Sequence, residues 1–144
     1  MKNIDTHKQP VKSAVAGKQY SYGEIIEYLD SHWSNNLKDA SLACIKTLDK
    51  AFNNLSQKFH NILIAGTNGK SLTAHFTSRL LKEEGLSVGT FFSPHVLTYN
   101  ERIVWGNDPI TNKSFTDIGN EVLNTAATLG LTPHSLDVLK KGTN

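Results

Sequence analysis

The residues with the clearest chemical potential form one short run, Gly66-Thr67-Asn68-Gly69-Lys70-Ser71. A nucleotide's phosphates need hydrogen-bond donors and positive charge at close range, with no side chains in the way. Gly66 and Gly69 lack Cβ atoms, so backbone N–H groups can turn inward as an anion-binding nest. Lys70 supplies a full charge for the outer phosphates, and Ser71 a hydroxyl where such loops often hold Mg²⁺. The common spacing for this chemistry is G-x-x-x-x-G-K-[ST], whose first glycine would fall at Ile64; the run here is the shorter G-x-x-G-K-S. An Asn-Gly turn is the ordinary alternative. Such turns join antiparallel strands, however, and the flanks here read as a strand and a helix.

The elements that must position this loop follow from periodicity. Ile62-Leu63-Ile64-Ala65 is a continuous apolar run, the pattern of a strand buried on both faces. From Lys70 the period becomes helical, with Leu72, Phe76, Leu80 and Leu81 on the expected inner face and Gly85 as a left-handed terminator. The helix start adds its partial positive charge to the loop. Val88-Gly89-Thr90-Phe91-Phe92 reads as a second strand, completing a right-handed βαβ unit. The stretch from Ser93 to Asn112 is rich in turn formers and reads as a long functional or disordered loop. Ser114 and Asp117 begin a last helix with Ile118, Val122, Ala126 and Leu129 inward, and the chain continues through Pro133 to Lys140-Lys141-Gly142 with no third strand.

Upstream, residues 1–20 read as a mobile polar leader broken by Pro10 and Gly17. Ser21 and Glu24 make a capping box for a helix burying Ile25, Ile26, Leu29 and Trp33. After Ser34-Asn35-Asn36, a second helix carries Leu42, Ile45, Leu48, Phe52 and Leu55, with Cys44 expected as a packed core thiol. Two parallel strands and four helices leave a sheet edge open.

Composition narrows the function classes. The 144 residues carry 15 basic and 13 acidic side chains, a formal charge of +2, with no basic stripe, which argues against a nucleic-acid partner. One cysteine rules out an internal disulfide and a multi-cysteine zinc site. No apolar run approaches the ~20 residues of a membrane span. The first residues match neither a secretion signal nor a transit peptide, so a cytoplasmic location is the expectation.

Two motifs together carry a family resemblance. Ala65-Gly66-Thr67-Asn68-Gly69-Lys70 resembles the phosphate loop of the Mur ligase superfamily. Ser93-Pro94-His95-Val96, followed by Tyr99-Asn100-Glu101-Arg102-Ile103, is similar to the folylpolyglutamate synthase and dihydrofolate synthase branch. The likeness covers about residues 21 to 118, including Tyr22-x-Glu24.

The resemblance implies an α/β fold: a partial parallel-sheet, P-loop nucleotide-binding domain of the Mur ligase central-domain type, incomplete at its C-terminal end. Residues 21–144 would be the N-terminal part of that domain, with the family's C-terminal domain absent. The implied activity is ATP- and Mg²⁺-dependent addition of L-glutamate to folate or dihydropteroate through an acyl phosphate. By likeness, Gly66, Thr67, Asn68, Gly69, Lys70 and Ser71 would contact ATP, with Lys70 also the catalytic charge. Ser71 and Ser93 would help hold Mg²⁺, and Pro94 to Arg102 would form an Ω-like loop near the folate or pteroate site. His95 and Arg102 either contact substrate there or brace the loop.

The chain also departs from the family. The synthases usually read Gly-Lys-Gly-Ser or Gly-Lys-Gly-Thr, where Gly69-Lys70-Ser71-Leu72 stands here. Lys70-Ser71 resembles other Mur ligases, so Ser71 takes over the hydroxyl's place, which Leu72 cannot fill. Leu131-Thr132-Pro133-His134-Ser135 stands where the family tends to read Leu-Thr-x-Phe-Glu, without the glutamate. The expectation is an N-terminal fragment without ligase activity alone. Beside it stand a non-catalytic nucleotide-binding module, oligomeric if another chain completes the sheet edge, and a fragment of a peptidoglycan-type ligase.

Overall fold

The computed structural model describes residues 14–31 and 42–131. Trp33, the Ser34-Asn35-Asn36 break, Pro10 and the stretch from Thr132 to Asn144 lie outside the described residues. The elements run α1 (Tyr22–Ser31), α2 (Leu42–Ala51), α3 (Lys70–Glu83), β1 (Gly89–Phe91), β2 (Ile103–Trp105), β3 (Asp108–Pro109) and α4 (Asn112–Thr128). The chain divides into two compact units, Met1–Leu55 with Gly119–Asn144, and Ser56–Ile118.

In the first unit, the Ser21–Glu24 capping box forms: Ser21 N–H donates to Glu24 (2.8 Å) and Glu24 N–H to the Ser21 hydroxyl (3.3 Å). It starts α1, which buries Ile25 to 2% exposure. Gly119 permits close helix contact, since a Cβ there would stand 2.9 Å from Ile25 Cδ1. Asn120, also buried, accepts from Tyr20 N–H at 2.6 Å and donates to Tyr20 C=O at 2.8 Å. One turn on, Asn124 accepts from Gly17 N–H (2.8 Å) and donates to Lys18 C=O (3.2 Å). Two amides at i, i+4 thus take the place of a neighbouring strand for the Gly17–Tyr20 backbone.

These contacts change the expected inner face of α4. Phe115, Asn120 and Leu123 are buried, whereas Ile118 and Leu129 are exposed. On α2 no residue is buried, and Cys44 is half-buried rather than a core thiol. Asn53 (φ 58°) and Asn54 (φ 52°) follow that helix in left-handed conformations that asparagine tolerates.

The second unit corrects the main fold expectation. Its sheet is three-stranded and antiparallel, in the order β1-β2-β3, with Thr90 opposite Val104 and Trp105 opposite Asp108. It is not the parallel βαβ sheet. Residues 61–66 form no strand, and Ile62 (63% exposed) and Leu63 (93%) lack the two covering layers that such an apolar run requires. The segment read as a long loop contains β2, β3 and a 3-10 turn, Tyr99–Arg102. Gly106, with φ 66°, makes the tight β2–β3 turn with Asn107, and the Trp105 ring lies 3.3 Å from the place of a Cβ on Gly89.

Helix α3 has the expected bounds. It ends in a Schellman motif, with Gly85 N–H bonded to Lys82 C=O (2.8 Å) and Leu86 N–H to Leu81 C=O (3.1 Å). Its faces differ from expectation: Leu72, Phe76 and Leu80 are exposed and Ser78 is buried. With no covering layer on the first face among the described residues, the opposite face meets β1.

Candidate phosphate loop and the Ser93–Arg102 segment

The Gly66–Ser71 loop leads straight into α3. Gly69 is the residue before the helix, in a left-handed conformation (φ 77°) that glycine adopts without steric cost, and no side chain caps the helix start. The first N–H groups of a helix have no intrahelical acceptor, so this end offers donors and partial positive charge. Lys70 folds back over the loop, its Nζ donating to Gly66 C=O at 2.6 Å and Thr67 C=O at 3.3 Å. All six residues are exposed. An uncapped helix start and a lysine ammonium therefore share one exposed turn, with the ammonium resting on the loop's own carbonyls.

The Ser93–Arg102 segment is organised by its own contacts. The Ser93–Pro94 peptide is cis. Arg102 Nε donates to His95 Nδ1 at 2.7 Å, which leaves the proton of a neutral imidazole on Nε2. The Tyr99 ring lies 4.3 Å from the His95 ring, and the Arg102 guanidinium stands 4.9 Å over Tyr99. His95 and Arg102 are brought together and brace the segment through each other. No side-chain hydrogen bond joins Ser71 to Ser93 among the described residues.

Sequence reasoning passed over Glu101, the organiser of this segment. Its carboxylate accepts from the N–H groups of Val96 (2.8 Å), Leu97 (3.0 Å) and Thr98 (2.8 Å). The Val96 and Thr98 amides hold its pKa below the usual carboxylate range. The available signal was Thr98-x-x-Glu101, the same spacing that had marked Ser21 and Glu24. Asn100, also passed over, is buried and donates to Ile110 C=O (2.7 Å) and Asn112 Oδ1 (3.0 Å).

Among the described residues no group of three or more His, Cys, Asp or Glu comes together to hold a metal ion. No helix among them is long and apolar enough to cross a membrane.

Known proteins resemble this chain over part of its length. It is 37% identical over 81 residues to a dihydrofolate synthase/folylpolyglutamate synthase of Bacillus subtilis, covering 56% of this chain and 19% of the relative. It is 34% identical over 90 residues to a folylpolyglutamate synthase of Lacticaseibacillus casei, covering 62% and 21%. A mitochondrial folylpolyglutamate synthase of Bos taurus is 46% identical over 55 residues, 38% of this chain and 9% of the relative. The chain spans about a fifth of the length of the first two of these curated relatives. No family model and no solved structure matches it.

Proposed function

We propose, for a chain whose matched stretch belongs to the folylpolyglutamate synthase/dihydrofolate synthase family, that Gly66–Ser71 is the ATP-phosphate loop of a glutamate-adding ligase. The observation that carries this reading is Lys70 Nζ held 2.6 Å from Gly66 C=O at a helix start that no side chain caps. The amides of Gly66, Thr67, Asn68 and Gly69 grip phosphate oxygens, and Lys70 moves from the loop carbonyls to the outer phosphates. ATP, when bound, would supply its γ-phosphoryl group to a folate or dihydropteroate carboxylate with release of ADP, and the amino group of L-glutamate would then attack the activated acyl carbon and expel inorganic phosphate. Ser71 and Ser93 would be the residues that hold Mg²⁺, their hydroxyls serving as neutral oxygen donors. Pro94, His95 and Arg102 belong to the segment that Glu101 shapes, and that segment would lie near the folate or pteroate site, with His95 and Arg102 contacting substrate or bracing the loop there.

The full activity belongs to proteins about five times as long as the matched stretch, so the 144-residue chain is proposed to bind without ligating. Equilibrium binding tests the assignment. ATP should bind far more tightly than adenosine, and folates more tightly than uridine nucleotides. Preference for uridine nucleotides would favour the peptidoglycan branch instead, and ATP-dependent elongation of folate by the chain alone would contradict the binding-only proposal.

A further inference from the structure

We propose that the groove between α3 and the β2–β3 hairpin is a second small-molecule site, for an aryl carboxylate. The groove holds about 350 Å³, at the lower end of the range for small-molecule sites, which suits a single ring. His75 and Arg79 line it from one helix face, being four residues apart. Phe92 and Val104 give it an apolar floor, and Gly106 with Asn107 forms the rim.

The charges on its walls are of one sign. Lys82 reaches the same rim, its Nζ 3.4 Å from the place of a Cβ on Gly106. No carboxylate among the described residues lines the groove. The ion pairs among the described residues, Lys18–Glu24 and Lys113–Asp117, involve neither Arg79 nor Lys82. A guanidinium pairs bidentately with a carboxylate, and the lack of opposing acid leaves that pairing unopposed. An inorganic anion would leave Phe92 and Val104 unmatched, whereas an aromatic body covers them. Arg79 lies nine residues along α3 from Lys70, about 13.5 Å along the axis. Occupancy here therefore does not depend on the phosphate loop or on the reading given to it.

The test is a titration of the full chain with benzoate, followed by backbone-amide NMR, with acetate and inorganic phosphate as comparators. Saturable shifts at Phe92, Gly106 and Asn107 are expected, with benzoate binding at least about tenfold more tightly than either comparator. Excess ATP should leave this binding unchanged, and Arg79→Gln should weaken it about tenfold or more. If Arg79→Gln loses its dispersed spectrum, His75→Gln is read in its place, with weakening again expected. Shifts that never saturate, equal affinity for acetate, or unchanged affinity in the folded variant would overturn the proposal.

Discussion

The Nζ of Lys70 lies 2.6 Å from the carbonyl oxygen of Gly66, four residues before it in the chain. The lysine thus closes the loop on itself, and under the proposed function it leaves those carbonyls for the phosphates of a bound nucleotide. Lys70→Met should weaken ATP binding about tenfold to a hundredfold, the loss of one charge-assisted hydrogen bond. Isothermal calorimetry measures this directly, and unchanged affinity would remove Lys70 from the binding role.

Gly69 needs its left-handed φ of 77°, although a Cβ there would meet nothing within 4 Å. The whole effect of Gly69→Ala is therefore backbone strain, about 1–2 kcal/mol. ATP affinity should fall about tenfold in Gly69→Ala and by less in Gly69→Asn, since asparagine tolerates that region. Equal affinities for the two variants would contradict the conformational explanation.

Asn120 and Asn124 hold the Gly17–Tyr20 backbone with unequal burial. Removing the buried Asn120 amide orphans both the N–H and C=O of Tyr20. Asn120→Ala should lower unfolding free energy by about 2–3 kcal/mol in urea titrations. Asn124, whose bonds are exposed to water, should cost about 1 kcal/mol or less as alanine.

Stability should fall in acid because of Glu24. The Ser21 N–H, then the Lys18 ammonium (2.9 Å) and the Ser21 hydroxyl, hold its carboxyl at about 2, against an ordinary 4.5. Between those values the unfolded chain binds more protons, so stability rises with pH across that window. The contribution is complete above the unfolded value and is lost as pH falls towards 2. Glu24→Gln should flatten urea midpoints between about pH 5 and about pH 2. Glu101, held low by the Val96 and Thr98 amides, leaves a residual slope of the same sign.

Local chemistry was the part legible in the sequence. Ser21 with Glu24, the Gly69–Lys70 helix start and the Gly85 terminator all act over a few residues, and each stands where spacing puts it. Ile62 to Ala65 misled because an apolar run reports a need for covering layers, not their presence. Among the described residues those layers are absent, and the unit instead pairs β1 with β2. The β2–β3 hairpin beside that pair had a signal in Gly106-Asn107 between short β-prone runs, masked by the turn formers around it. The Asn120–Asn124 clamp was harder to see: two amides at helical spacing look like solvent-facing residues until a backbone lies across them. Of the candidate site, Lys70 could be read from its motif, whereas the Glu101 role depends on three amides that only a folded segment gathers.

The central claim is that Gly66–Ser71 grips the phosphates of ATP. Backbone-amide NMR of the 144-residue chain, titrated with ATP and separately with adenosine, tests it most directly. Saturable shifts concentrated on the amides of Gly66 to Ser71, present with ATP and absent with adenosine, are the predicted result. Shifts centred elsewhere, or equal shifts with both ligands, would contradict it.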